Sequence, residues 1–255
     1  MLPEVENNQQ LDEKTIEEQP PYSHFPALKD WLFRFILFLL GFLGLELITI
    51  LIALIVGKVN SEYLNETSPL YVTGNMIINA IRYTILFVLF VLLLLPRLRI
   101  IARKFKNWKT DLIGLAFGVG LILIDMLYST IVSNFIDMGV NANQELAVKM
   151  IKEFPVLSII ILGFFGPICE EITYRYGLFG MIKKKNKILA YIIVVIVFSL
   201  IHFDFTADLK IEFINLPSYL IAGVGLCLAY DLFGFNASII AHIVNNVFAC
   251  IMNMF

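Results

Sequence analysis

The sequence has little charge, few histidines and none of the common hydrolase signatures. Only 16% of its 255 residues are charged, 59% are hydrophobic, and mean hydropathy is +0.81. Soluble globular chains carry nearer a quarter charged residues, so a soluble domain is excluded. There is no HExxH pattern for helix-borne zinc hydrolysis and no GxSxG elbow for a serine nucleophile. Tyr230-Asp231 matches the first half of an intramembrane aspartyl motif, but the GxGD half is missing. Three cysteines, Cys169, Cys227 and Cys250, lie in apolar segments without CxxC spacing, which argues against a disulfide framework or a zinc knuckle. Cys169 reads as a small buried hydrophobe rather than a nucleophile. Residues 1–27 are acidic and lack the basic stretch and apolar core of a signal peptide; a flexible cytoplasmic tail is expected there. The net charge of −2 is spread over separate blocks, and no nucleic-acid partner is expected.

What is present is a series of apolar runs of the length that crosses a ~30 Å hydrocarbon core as helix. Spans are expected at Trp31–Val56, Met76–Leu95, Leu112–Val132, Pro155–Met181, Ile188–Phe203, Phe213–Tyr230 and Ala237–Phe255. The fold expected is therefore all-α, a polytopic bundle of about seven spans. Between the third and fourth, Leu146, Met150, Ile151 and Phe154 recur at helical spacing beside Lys149 and Lys152, the pattern of a short helix lying in the interface. Basic loops follow the second span (Arg97, Arg99, Arg103, Lys104, Lys106, Lys109) and the fourth (Lys183, Lys184, Lys185, Lys187). The positive-inside rule makes both cytoplasmic, giving an integral plasma-membrane protein with its N-terminus inside and its C-terminus outside.

Arg34, Glu46, Arg82 and Asp125 fall in or near spans, where pairing or snorkelling is expected of them. They also fit an ion-coupled transporter, but the chain is short for one and shows no internal repeat. The fourth span differs, because Glu170, Glu171 and Arg175 stand within six positions at a depth where charge is costly and usually functional. Glu171 and Arg175, four apart, share a helix face and can pair, leaving Glu170 about 100° round the helix with a different task. Pro167, one turn before, removes an amide donor and is expected to free the carbonyl of Gly163, kinking the helix beside a wet cavity. Of three histidines, His202 and His242 lie in late spans, with Phe198 and Asn246 on their respective helix faces. Glu170 and His202 lie about 20 and 22 Å from the same basic hairpin at ~1.5 Å per residue, hence at matched depth, whereas His242 fits that depth less well. A carboxylate beside an imidazole with water at hand is a general-base arrangement, and a second histidine with an amide can hold an oxyanion. The chemistry read from these groups is hydrolysis of an acyl bond, a peptide most naturally.

Glu170-Glu171-x-x-x-Arg175, Phe198-x-x-x-His202 and His242-x-x-x-Asn246, intact and in order, resemble the three motifs of the CAAX protease and bacteriocin-processing family of intramembrane proteases, which includes the type II CAAX prenyl endopeptidases. The resemblance covers roughly Pro155 to Phe255. It implies an endopeptidase acting on a membrane-associated protein or peptide. In it Glu170 and His202 activate water, His242 and Asn246 stabilise the oxyanion, and Glu171, Arg175 and Phe198 support the site. Substrates of such proteins are CAAX-type, or belong to bacteriocin and signal-peptide processing or self-immunity. A non-proteolytic immunity or scaffold protein on the same fold is the alternative. Members are often named metalloproteases; the metal-free glutamate mechanism requires no cofactor, while Glu170, His202 and His242 could ligate zinc but lack a local two-ligand spacing. On this reading the chain divides into the tail (1–27), N-terminal transmembrane helices with an interfacial helix (28–154) and a C-terminal catalytic core (155–255).

Overall fold

Apolar runs of this length must close their backbone hydrogen bonds internally, because the bilayer core offers no partners. The computed structural model describes residues 29–97, 102, 105 and 107–254. The expected acidic tail, most of the first basic loop and Phe255 therefore lie outside the described residues, which hold helices and no strand. The helices are α1 (Asp30–Val59), α2 (Tyr71–Arg97), α3 (Trp108–Ser133), α4 (Ala142–Glu153), α5 (Pro155–Ile182), α6 (Lys187–Leu200), α7 (Leu209–Phe233) and α8 (Phe235–Met252). Among the described residues six of these, all but α4 and α6, are long and apolar enough to cross a membrane. The chain is a multi-pass membrane protein with an all-helical bundle of about seven spans, α6 being the short one.

Helix α6 ends at Leu200, earlier than the apolar run ending at Phe203 suggests. Its last turns tighten, with the His202 and Phe203 amides bonding to Ser199 and Leu200 three residues back. Asp204 then accepts from both the amide and the hydroxyl of Thr206, closing a turn. Those bonds hold the Asp204 carboxyl below the usual carboxylate range. His202 consequently sits in the terminal turn just past the helix.

Charge gathers the two ends of the bundle. At one end Asp30 of α1 binds Arg34 (2.8 Å), Arg97 at the end of α2 (3.3 Å) and Lys184 after α5 (2.7 Å). Asp231 at the end of α7 binds Lys183, Lys187 (2.5 Å) and Tyr191 (3.0 Å). Arg97 and the second basic segment thus share one end with the start of α1. At the opposite end α4 begins on an Asn141 cap, the Gln144 amide donating to its side chain at 2.8 Å. The buried Glu212 carboxylate accepts from the amides of Ala142 (3.0 Å) and Asp204 (3.1 Å), tying α4, the α6–α7 link and α7 together.

Helix α5 is the centre: half of its apolar window is buried inside the protein, against 17% for α1 and α3. Helix α1 lies directly on it, so that a side chain at Gly177 would meet the backbone of Arg34 and Phe38. Gly234, at φ +93°, makes the tight turn that starts α8 one residue after α7 ends. Helices α3 and α8 cross through small residues, Gly114 against Ala237 and Gly118 against Ala241, the close approach by which helices associate in membranes. That crossing fixes the helix carrying His242. Gly118→Val should lower stability by about 1–3 kcal/mol through overpacking. Gly120→Val, whose new side chain would enter open space, should be nearly neutral, a contrast readable by thermal unfolding in detergent.

Candidate active site

The backbone of α5 is built unusually. Ile159–Phe165 and Glu171–Phe179 form wide i→i+5 turns on either side of a short α segment, Gly166–Glu170. Such turns concentrate at functional sites. The Gly166 amide bonds to Ile161 O, five residues back. In that register the donor missing at Pro167 leaves Leu162 rather than Gly163 without its partner. The Asn246 amide takes its place, Nδ2 donating to Leu162 O at 3.1 Å. The proline break therefore orients Asn246, whose second N–H makes no hydrogen bond among the described residues, on the wall of the cavity that Leu162 also lines.

Glu171 and Arg175, both fully buried, pair at 2.9 Å as their spacing requires. The guanidinium lies over the Phe198 ring, Cζ 4.2 Å from its centroid. Among the described residues its N–H groups are not aligned on hydrogen-bond acceptors, so charge and the ring face hold it. The same carboxylate oxygen, Oε1, also contacts His242 Nδ1 at 2.9 Å. A carboxylate paired to arginine accepts only, so Nδ1 of His242 carries the proton. The two residues meet because Tyr176 of α5 packs on Phe235, the first residue of α8. Helix α5 thus runs past the start of α8, which removes the depth mismatch of His242 inferred from loop lengths.

Glu170 lies on the other side of the same imidazole, its Oε2 3.7 Å from His242 Nε2. Its Oε1 accepts from the Tyr83 hydroxyl of α2 at 3.4 Å. Among the described residues no hydrogen bond joins Glu170 to His202. His202 Nδ1 contacts Phe198 O at 2.9 Å; a carbonyl only accepts, so Nδ1 holds the proton and Nε2 keeps its lone pair. The ring is stacked on Tyr219 (centroids 4.6 Å apart, 21°) and tilted against Phe198. Phe198, His202, His242 and Asn246 share the wall of one cavity of about 290 Å³. Glu170 reaches His242 from the Tyr83 side, outside that lining, with 14% of its side chain exposed.

The three donors that could hold zinc do not fit a metal centre. Among the described residues no three His, Cys, Asp or Glu side chains converge on one point, Glu170, His202 and His242 included. Cys169 is buried with its thiol toward Tyr83 O, as a core residue would be. Sequence reasoning missed Tyr83 and Tyr219, since a tyrosine in an apolar span carries no motif. It also gave the first three spans no part in the site, whereas α2 supplies Tyr83 and α3 supplies Asp125 to the cavity wall.

The family comparison falls on the same segment. The sequence model of the type II CAAX prenyl endopeptidase Rce1-like family matches residues 152–248. An uncharacterized protein of Mycoplasma capricolum subsp. capricolum is 29% identical over 193 residues, which is 71% of this chain and 54% of that protein. The chain thus spans about half the length of that relative. No solved structure matches. The matched segment holds the two glutamates, Arg175, both histidines and Asn246, and it is Rce1-like in sequence, consistent with the CAAX protease and bacteriocin-processing family.

Proposed function

We propose that this chain is an intramembrane endopeptidase that hydrolyses a peptide bond of a membrane-associated protein or peptide. The observation that carries the reading is His242 held between two glutamates, Glu171 at Nδ1 and Glu170 at Nε2, on the wall of a cavity shared with His202 and Asn246. The Rce1-like match supports a protease of CAAX type.

In the proposed reaction a water is held between Glu170 and the lone pair of His202 Nε2. Glu170 takes a proton as the water oxygen adds to the scissile carbonyl carbon. The proton passes to His242 Nε2, 3.7 Å away. Nε2–H and the free N–H of Asn246 then hydrogen-bond the oxyanion. Collapse breaks the C–N bond, and the proton leaves with the amine. Glu171 keeps the imidazole in the required tautomer and orientation, with Arg175 and Phe198 fixing Glu171 in turn. Among the described residues Glu170, His202 and His242 do not converge as metal ligands, and the proposed reaction routes no step through a metal. In this reading the basic end of the bundle lies in the cytoplasm, which its charge supports, with the cavity toward the other end. CAAX-type or bacteriocin and signal-peptide processing are the substrate classes this reading admits.

The test is profiling of membrane peptide termini in host cells expressing the wild type, Glu170→Gln or neither. New termini are expected with the wild type alone. Identical termini at equal protein levels would contradict the reading and favour a non-proteolytic immunity or scaffold role. With a cleaved peptide in hand, Glu170→Gln should lose about 10²–10⁴-fold in rate and Asn246→Ala about 10²–10³-fold. Glu171→Gln should lose activity and also cost about 3–5 kcal/mol of stability by stranding a buried Arg175. Tyr83→Phe, removing one long hydrogen bond, should cost about tenfold or less.

A further inference from the structure

The cavity extends well beyond the histidines. On the α4 side its wall is formed by Asp125 and Ser129 of α3, Asn143 and Gln144 of α4, and Ser218 of α7. Asp125 makes no salt bridge among the described residues, and its Oδ1 is buried without a hydrogen-bond partner. No lysine or arginine lines the cavity. A carboxylate at membrane depth costs about 2.5–3.5 kcal/mol on insertion scales and is ordinarily paired. Of the other intramembrane charges, Arg34 binds Asp30 and Arg82 rests on Tyr83 and Thr49, while Glu46, which also makes no salt bridge among the described residues, is exposed on the surface of α1. Asp125 instead has an uncompensated carboxylate in the wall of a cavity large enough for one or two side chains.

Its distance from the reacting centre follows from the α3–α8 crossing. The two helices run parallel, Gly114 opposite Ala237 and Ile240, Gly118 opposite Ala241 and Val244. Asp125 is seven residues past Gly118, so it lies about 10 Å beyond the level of His242 at ~1.5 Å per residue. An extended peptide covers that distance in about three residues.

We propose that Asp125 is a specificity-determining residue that receives the ammonium or guanidinium group of a lysine or arginine in the peptide substrate, within about three residues of the scissile bond. This rests on the endopeptidase reading and adds the chemistry of its substrate. The neutral amides and hydroxyls of Asn143, Gln144, Ser129 and Ser218 complete the polar surroundings such a cation needs when it leaves water.

The test reads binding rather than turnover. The full chain carrying Glu170→Gln is placed in nanodiscs free of amine lipids and titrated with a capped apolar peptide bearing one lysine, and with its norleucine twin. The lysine peptide is expected to bind about tenfold or more tightly. That preference should vanish in the added Asp125→Asn variant and persist in Asp125→Glu. Equal binding of the two peptides, or an unchanged preference in Asp125→Asn, would overturn the proposal. If Asp125→Asn does not fold, as judged by thermal unfolding, Asp125→Ser carries the same comparison. Terminus profiling tests proteolysis separately, so either idea can fail while the other stands.

Discussion

One carboxylate oxygen, Glu171 Oε1, contacts both Arg175 and His242 in the fully buried centre of the bundle, and the rest of the site depends on that contact. Removing three ionisable groups from water is expensive, and their mutual attraction offsets the cost only with good geometry. The geometry comes from the backbone. The wide turns of α5 set the glutamates and Arg175, the small-residue crossing of α3 and α8 fixes the helix that carries His242, and the packing of Tyr176 on Phe235 brings His242 within 2.9 Å of Glu171. Charge clusters at the basic end, around Asp30 and Asp231, fix the relative heights of five helices.

This arrangement divides labour between adjacent glutamates by burial. Glu171 is sealed and bonded, fit to hold an imidazole in place. Glu170 is partly exposed and makes longer contacts, to Tyr83 and to His242 Nε2, and so retains freedom to accept a proton. The two histidines are sorted by the same logic. His242 donates its Nδ1–H to a carboxylate and His202 donates its own to a backbone carbonyl, so both turn Nε2 to the reaction in the proposed mechanism.

Much of this was legible in the sequence, and the reasons for the rest are physical. Span number and class follow from apolar length, and the Glu171–Arg175 pair follows from i,i+4 spacing. The α4 helix was visible in its amphipathic period. The Glu171–His242 contact was not, because it depends on how far α5 overshoots the start of α8, and loop lengths alone misplace His242. The end of α6 was overrun because hydrophobicity continues past Leu200 while the backbone bonds tighten. Gly163 was the expected orphan at Pro167, but the wide register moved it to Leu162. Tyr83, Tyr219 and Asp125 came from helices with no motif, and only packing shows what they face.

The central claim, that Glu171 holds His242, is open to direct observation because the chain has only three histidines, His24, His202 and His242. Nitrogen-15 NMR of the histidine-labelled chain in lipid should show a strongly hydrogen-bonded Nδ1–H for His242. Glu171→Gln should shift that signal while leaving His202, bonded to Phe198 O, in place. A His242 spectrum unmoved by Glu171→Gln would contradict the account.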